Sequence, residues 1–176
     1  MTTAQMFDKV LLQTDRIRLR NFKKGDLPFL HGLNIDEDVM RHIRTVNYDI
    51  NQSKRDLAYM MAYQHPSGHL GYWLAEDIHS SEKLGTVTLR TLEGSTEIEL
   101  GYRWKKSSWG RGYATETCKS LINYAFFQAG FRRVVAVIDP DNQSSERVLI
   151  KCGFQFERMA YHYKKRVKLF STFQSP

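Results

Sequence analysis

The stretch SSWGRGYATETCKSLINYAF, residues 107–126, places two glycines around an arginine and then continues in an apolar pattern of helical period. A helix start preceded by small residues offers unpaired backbone N–H groups and the positive end of the helix dipole, which together suit a phosphate group. Gly130 is expected to end the helix. Its predicted buried face consists of Ala114, Cys118, Leu121, Ile122 and Ala125.

The two commonest phosphate-binding motifs do not fit this stretch. A P-loop has four residues between its glycines and a Lys-Ser/Thr pair after them, whereas Arg111 alone separates the glycines here and Tyr-Ala follows. A dinucleotide fingerprint needs a third glycine where Thr115 stands and an acid about 20 residues further on, where Arg132 and Arg133 stand. The glycine pair by itself indicates a phosphate site without indicating which phosphate.

Length and composition predict one globular domain. The chain has 176 residues, 41% of them hydrophobic, which suffices for a single well-buried core over residues 1–176. No run approaches the length of a membrane span, and Asp8 and Asp15 interrupt the N-terminal region, so we expect neither a signal peptide nor a membrane protein, and a cytoplasmic location. The two cysteines, Cys118 and Cys152, are too few for a disulfide framework and are predicted to be buried thiols.

The chain is basic, with a formal net charge of +7, which favours an anionic ligand or partner. Five lysines and arginines and no acid lie between Arg158 and Pro176. Two interpretations stay open: an edge strand protected from aggregation by lysines, or a surface that contacts nucleic acid.

The N-terminal half is predicted to alternate short helices with strands. Residues 14–22 show the alternation of a strand, and the next helix is expected to break near Gly32 before a second helical piece at residues 36–43. An amphipathic helix starting at Asn51 or Ser53 follows. Its predicted buried side consists of Leu57, Met60, Met61 and Gln64.

Three strand-like runs then precede the glycine pair, and loops of hairpin length separate them, so an antiparallel meander is expected. Because a strand, the long helix and another strand follow one another, residues 96–104 and 131–139 should form a parallel pair. The predicted class is α/β (α+β) with a mixed, mostly antiparallel sheet. The remaining elements are strands at residues 69–78 and 84–92, a capped helix at 141–153 and a closing hairpin at 154–173.

The strand before the glycine pair has two chemically different faces. Its apolar face carries alternate residues from Ile98 to Trp104, whereas two carboxylates and an arginine share the opposite face. The members of that polar face are Glu97, Glu99, Gly101 and Arg103.

The segments ELGYRW, WGRGYATE, LINYAF and FRRVVAVIDPDNQSSERVLIKCGF together resemble the GNAT superfamily of acetyl-CoA-dependent N-acetyltransferases. Within it they are similar to the ribosomal-protein alanine N-acetyltransferases, and LQTDRIRLRNFKKGDLPFL is similar to that branch as well. The resemblance covers about residues 11–160. It implies a single-domain GNAT-like fold, splayed between its two parallel strands, that transfers acetyl from acetyl-CoA directly to a primary amine in a ternary complex, with no metal.

The resemblance also implies where coenzyme A binds. Backbone amides of the glycine loop would wrap the pyrophosphate, Asn142 would hydrogen-bond the pantetheine arm, and backbone groups of Tyr102 and Trp104 would flank the thioester. Ser107 stands where the family often has Gln or Arg, so no side-chain phosphate contact is expected there. The loop residues implied are Trp109, Gly110, Arg111, Gly112, Tyr113, Ala114 and Thr115.

The catalytic residues are implied in the same way. Glu99 matches the family's acidic position and is the candidate base, with Glu97 as its substitute; a purely structural, salt-bridged Glu99 is the alternative. Ser145 is the candidate proton donor to the departing thiolate, because Leu149 stands where many relatives have a tyrosine. The alternative role for Ser145 and Asn142 is helix capping. Tyr161 and Tyr163 are reserve proton donors.

The acceptor that the branch resemblance implies is a protein N-terminus, such as that of a ribosomal protein, with nucleic acid contacted only indirectly, by a monomer or homodimer. A polyamine, an aminoglycoside or another small amine stays open, as do a non-catalytic acetyl-CoA-binding domain and an RNA-associated module. The loop at residues 65–68 is expected to border the acceptor pocket. His65 and His69 do not form a helical metal pair because Pro66 and Gly68 separate them.

Overall fold

The structure, a computed structural model, describes residues 10–63 and 65–175. The strands are β1 (Val10–Gln13), β2 (Ile17–Asn21), β3 (Gly71–Asp77), β4 (Lys83–Thr91), β5 (Ile98–Trp104), β6 (Arg133–Ile138), β7 (Gln155–His162) and β8 (Lys165–Phe173). The α-helices are α1 (Leu27–Ile35), α2 (Glu37–Met40), α3 (Ile50–Ala62), α4 (Tyr113–Asn123) and α5 (Gln143–Lys151).

All eight strands form one sheet in the order β1-β2-β3-β4-β5-β6-β8-β7. Neighbours are antiparallel except β5 and β6, which are parallel, as the crossover predicted. Only Glu99 and Val135 are in register between these two strands. The sheet is therefore joined at one point and splayed beyond it.

Helices cover both faces of the sheet, because alternate residues of one strand pack in opposite directions. In β3, Leu74 packs in a cluster with Leu30 of α1 and Leu57 of α3, whereas Trp73 belongs to the larger core that includes Leu121 of α4. The polar face of β5 looks toward α1–α3, and its apolar face packs against α4.

Several local predictions are wrong in detail. Helix α1 continues through Gly32 to Ile35, because glycine weakens a helix without ending it when packing holds the neighbours. Helix α3 is capped by Asp49, whose side chain accepts from the Asn51 amide, rather than by Asn51 or Ser53.

The buried side of α3 also differs from its prediction. Ser53 and Leu57 are buried, whereas Met61 is 36% exposed; Gln64 lies outside the described residues. Strand β1 was not predicted, and its short pairing with β2 is irregular. Helix α4 passes into a π-helical turn at 124–128 before Gly130.

The closing hairpin and the capped helix were predicted correctly. β7 and β8 pair antiparallel around a turn in which Tyr163 and Lys164 have positive φ. Asn142 caps α5 by accepting from the Ser145 amide at 3.1 Å. The start of α5 thereby lies beside the splay between β5 and β6.

Candidate active site

The loop before α4 presents its backbone at two glycines. Gly110 and Gly112 have φ of 70° and 80°, a left-handed conformation that favours glycine. A Cβ on Gly110 would meet nothing within 4 Å, and one on Gly112 would meet Arg16 at 3.4 Å. No described side chain caps α4 at Gly112, so its first N–H groups remain available to an anion.

Two arginines flank this loop. Arg16 donates from Nη1 to the Arg111 carbonyl at 3.0 Å, and its Nε donates to Glu116 in the first turn of α4 at 2.7 Å. The guanidinium groups of Arg16 and Arg111 lie 4.7 and 5.0 Å from the centroid of the Tyr113 ring. Positive charge therefore accompanies the free amides, which is what a pyrophosphate requires.

Aromatic residues fix the loop against the end of β5. Trp109 is 47% exposed, and its Nε1 donates to the Trp104 carbonyl at 2.8 Å. Trp104 is buried and stacks on Tyr113 with ring centroids 6.2 Å apart. Ala114 and Thr115 form the first turn of α4. The predicted loop residues are thus contiguous in space as well as in sequence.

The splay holds a buried polar group without a well-formed hydrogen bond. Tyr102 Oη is buried and makes no well-formed hydrogen bond among the described residues, although the Ser145 side chain lies close to it. Burial raises the pKa of Tyr102, so the phenol remains neutral. A ligand lying between β5 and β6 would satisfy this hydroxyl. The open loop at one end and the buried hydroxyl at the other fit a long ligand with a phosphate group and a polar arm.

A cleft of about 510 Å³ adjoins the splay. Residues from the polar face of β5 line it together with Asn142 and Ser145 of α5, so the structure brings the candidate base and the candidate proton donor to one cavity. The glycine loop lies outside this lining. Residues 65–68, expected to border the acceptor pocket, are not among the lining residues either.

Glu99 is almost fully enclosed at the floor of the cleft. Its Oε2 accepts from Arg90 Nε at 3.1 Å and from the Tyr163 hydroxyl. Its Oε1 has no hydrogen-bond partner among the described residues. Burial raises the pKa of Glu99, and the opposing influence of Arg90 and Tyr163 is smaller. Glu99 is therefore a salt-bridged carboxylate that keeps one oxygen available and holds a proton more readily than an ordinary glutamate.

The other acid–base candidates lie elsewhere. Glu97 pairs with Arg133 at 2.9 Å and does not line the cleft. Tyr161 is 71% exposed on the edge strand β7. Tyr163, by contrast, lies in the cleft, where its hydroxyl also accepts from Arg90 Nη2 at 2.8 Å.

Two arginines of the cleft were missed as site residues. Arg90 links Glu99 to both Tyr163 and Tyr72, and Arg103 was noted only as a member of the polar face. The alternation of β4 could have placed Arg90 on a polar face with its threonines. Its pairing opposite Glu99 depends on strand register, which no local pattern specifies.

His65 and His69 each contact the side chain of another residue. His65 contacts the Ser67 hydroxyl, and His69 Nδ1 lies 2.9 Å from Tyr124 Oη. Within residues 10–63 and 65–175 no group of three His, Cys, Asp or Glu side chains is arranged to hold a metal ion. None of the helices in the described part of the chain is long and apolar enough to cross a membrane.

A mostly antiparallel sheet, splayed at its one parallel pair and followed by a glycine loop at a helix start, is the architecture that the GNAT resemblance implies. A family model for the acetyltransferase (GNAT) domain matches residues 16–155. The chain therefore belongs to the GNAT family and is an acetyl-CoA-dependent N-acetyltransferase, as predicted. The Bacillus subtilis protein YkkB is 32% identical to it over 165 residues, or 92% of this chain and 95% of that protein.

Solved structures share the fold at low identity. The ribosomal L7/L12 alpha-N-protein acetyltransferase RimL, in complex with coenzyme A, matches with a TM-score of 0.77 at 18% identity over 94% of this chain and 98% of that one. Spermidine N-acetyltransferase from Vibrio cholerae, in complex with coenzyme A and spermine, matches with a TM-score of 0.76 at 17% identity over 92% of this chain and 97% of that one. The former agrees with the branch that the sequence resembles, but the fold alone does not select an acceptor.

Proposed function

We propose that this chain, as one N-acetyltransferase domain over residues 1–176, acetylates the N-terminal amine of a protein or peptide by direct attack in a ternary complex. The observation that carries the proposal is the cleft in which Glu99 and the start of α5 face a common space. Acetyl-CoA supplies the acetyl thioester. The chain's own residues orient the amine and move the protons.

Glu99 is proposed as the base. An amine must lose a proton to become a nucleophile, and the raised pKa of Glu99 brings its basicity closer to that of the amine. Both observed contacts use Oε2, so Oε1 receives the proton directly or through a water molecule. Arg90 and Tyr163 hold the carboxylate in place.

The proton for the departing thiolate is proposed to come from Ser145. The Ser145 amide donates to Asn142 Oδ1 at 3.1 Å, and the Ser145 side chain lies close to that of Tyr102. Asn142 thus combines helix capping with a position proposed to lie beside the pantetheine arm. Tyr102, whose buried hydroxyl makes no well-formed hydrogen bond among the described residues, is a second group that the bound co-substrate would engage.

The amides of Gly110, Arg111 and Gly112 are proposed to hold the pyrophosphate, together with the first turn of α4. A Cβ on Gly110 would meet nothing within 4 Å, and one on Gly112 would meet only Arg16, at 3.4 Å. The positive end of α4 and the flanking guanidinium groups stabilise the same charge. The remaining proposed contacts are Trp109, Tyr113, Ala114 and Thr115, with the Tyr102 and Trp104 backbone beside the thioester.

Charge around the cleft favours a peptide over a polyamine. Four Lys and Arg side chains line it against three carboxylates, so a polycation would meet a net positive wall. The acids that could have made it more negative are engaged elsewhere: Glu76 with Arg20, Glu82 with Lys105, and Glu97 with Arg133.

The basic C-terminal segment carries less unpaired positive charge than its composition suggests. Lys165 and Lys168 pair with Asp139 and Glu146, and Arg158 pairs with Glu157. Of its five basic residues, Lys164 and Arg166 have no carboxylate partner among the described residues. A small positive edge remains for steering a protein partner bound to nucleic acid.

The test is coenzyme A release with matched acceptors at equal concentration: alanine- and serine-initiated peptides, spermidine and an aminoglycoside. Peptides should react fastest, and their rate should fall with added salt, because salt screens the positive edge. Rapid acetylation of spermidine or the aminoglycoside with the peptides untouched would overturn the peptide assignment while leaving the family assignment intact.

A further inference from the structure

Arg103 shares the floor of the cleft with the candidate base. Glu99, Gly101 and Arg103 alternate along β5 and line the same cavity. Gly101 has no side chain, and a Cβ there would meet only the Thr88 methyl group, at 3.0 Å. The floor between the carboxylate and the guanidinium is therefore open to an acceptor.

The partners of Arg103 are electrically neutral. Its Nη1 donates to Asn34 Oδ1 at 2.7 Å and contacts Met40 Sδ at 3.3 Å. Within residues 10–63 and 65–175 no carboxylate lies at ion-pair distance from it, and its Nε and Nη2 donate no hydrogen bond. The other two arginines of the cleft differ, because Arg90 pairs with Glu99 and Arg44 pairs with Asp56.

Asp56 lines the same cleft but is committed to other donors. Its oxygens accept from Arg44, from Gln52 at 2.8 Å and from the Asn34 amide at 3.1 Å. Asn34 therefore separates Asp56 from Arg103, donating to the former and accepting from the latter. Neutral side chains therefore hold Arg103 in place, and Asp56 acts on it only at longer range.

An uncompensated guanidinium in this position is costly. Burial, aided by Arg44 and opposed more weakly by Asp56, lowers the pKa of Arg103 to about 10, because the surroundings disfavour its charge. The free N–H groups of a guanidinium form a planar fork that matches a carboxylate in two parallel hydrogen bonds. A carboxylate entering the cleft would supply both the missing charge and the missing acceptors.

We infer that Arg103 binds a carboxylate of the acceptor while the acceptor's amine is presented to Glu99. The inference rests on the proposed function and names its substrate class: a primary amine with an acidic group several bonds away. The Cα atoms of residues 99 and 103, four positions apart along the strand, are separated by about 13 Å. A peptide with an acidic residue next to its N-terminus spans that distance better than an α-amino acid, whose two charges share one carbon.

The test compares kcat/KM for a short serine-initiated peptide with glutamate at its second position and for its glutamine counterpart. The wild-type enzyme should prefer the acidic peptide by about 10- to 100-fold, the range for hydrogen bonds to charged groups. In Arg103→Gln this preference should vanish, because the rate with the acidic peptide should fall more than the rate with the glutamine peptide. Arg103→Lys should keep part of it.

Arg44→Gln is the matched control, since it removes a cleft arginine that already has a carboxylate. The acidic preference should persist in it; an equal loss would assign the effect to general positive potential and overturn the role of Arg103. Measurable and equal rates for both peptides in the wild-type enzyme would also overturn the inference.

Glutamate and its diamide complete the panel. They distinguish a failure of the proposed peptide acceptor from a failure of the proposed carboxylate contact with Arg103. If only free glutamate reacts, better than its diamide and only while Arg103 is present, the carboxylate inference stands and the peptide acceptor fails. If spermidine or neutral amines react better than every carboxylate-bearing acceptor, the inference is wrong whatever the acceptor.

Discussion

The glycine loop and the polar face of β5 are separated by only a few residues of chain, yet one offers main-chain groups and the other offers side chains. The loop is proposed to bind through main-chain amides and to need an absence of side chains at Gly110 and Gly112. The β5 face is proposed to act through Glu99 and Arg103, whose contacts come from residues of β4, α1 and the β7–β8 turn. A site made of main-chain amides should be sensitive to a new side chain at its glycines and less sensitive to the loss of a neighbouring side chain, whereas a side-chain site should be sensitive to the loss of its own functional group.

The largest effect is expected from Gly112→Val, which should abolish measurable acetyl-CoA binding in calorimetry, because a side chain would fill the open space and the left-handed backbone would shift. The matched control is Gly130→Val, which has a similar φ of 74° and no neighbour within 4 Å of its Cβ. Both variants should lose about 1–3 kcal/mol of stability through backbone strain. Binding retained at Gly112→Val would remove the phosphate role from the loop.

Glu99→Gln should lower kcat by about 10²-fold or more, the usual contribution of a positioned acid–base group. Its acetyl-CoA affinity should stay close to that of the wild type, because the loop is untouched. Glu97→Gln is the control, since Glu97 pairs with Arg133 away from the cleft. Were Glu97→Gln the damaging change, the assignment of the base along β5 would be wrong.

The pH profile should separate the two regions further. Because the base acts only when deprotonated and burial raises its pKa above 4.5, kcat should fall as pH decreases through a value higher than that of an ordinary glutamate. Acetyl-CoA affinity should not follow this acidic limb. The residual activity of Glu99→Gln should lack the acidic limb. If the limb persists in this variant, it reports the titration of another group.

The smallest effect is expected from Arg111→Ala, which should weaken acetyl-CoA binding about two- to fivefold, the scale of an exposed charge. The amide of residue 111 survives the substitution, and Arg16 still supplies charge beside the loop. A much larger loss, measured by the same calorimetry, would show that the side chain rather than the backbone dominates phosphate binding.

Local pattern was enough for most of the architecture. The alternation of β3, β4 and β5, the apolar stripe of α4 and the cap at Asn142 each depend on residues close in sequence, and all appear in the structure. Errors arose where neighbours far along the chain decide the outcome. Packing carries α1 through Gly32, and β1 exists only because β2 gives it a partner.

By itself the sequence determined the glycine loop, the parallel crossover, the polar face of β5 and the family resemblance, because these depend on short-range geometry and residue order. Only the tertiary structure decided that Arg90 and Tyr163 share one oxygen of Glu99, that Glu97 is engaged elsewhere and that no carboxylate among the described residues lies at ion-pair distance from Arg103. Strand register and the approach of distant side chains set these contacts, and burial then sets the pKa of Glu99 and Arg103. No local sequence pattern encodes these contacts or these pKa values.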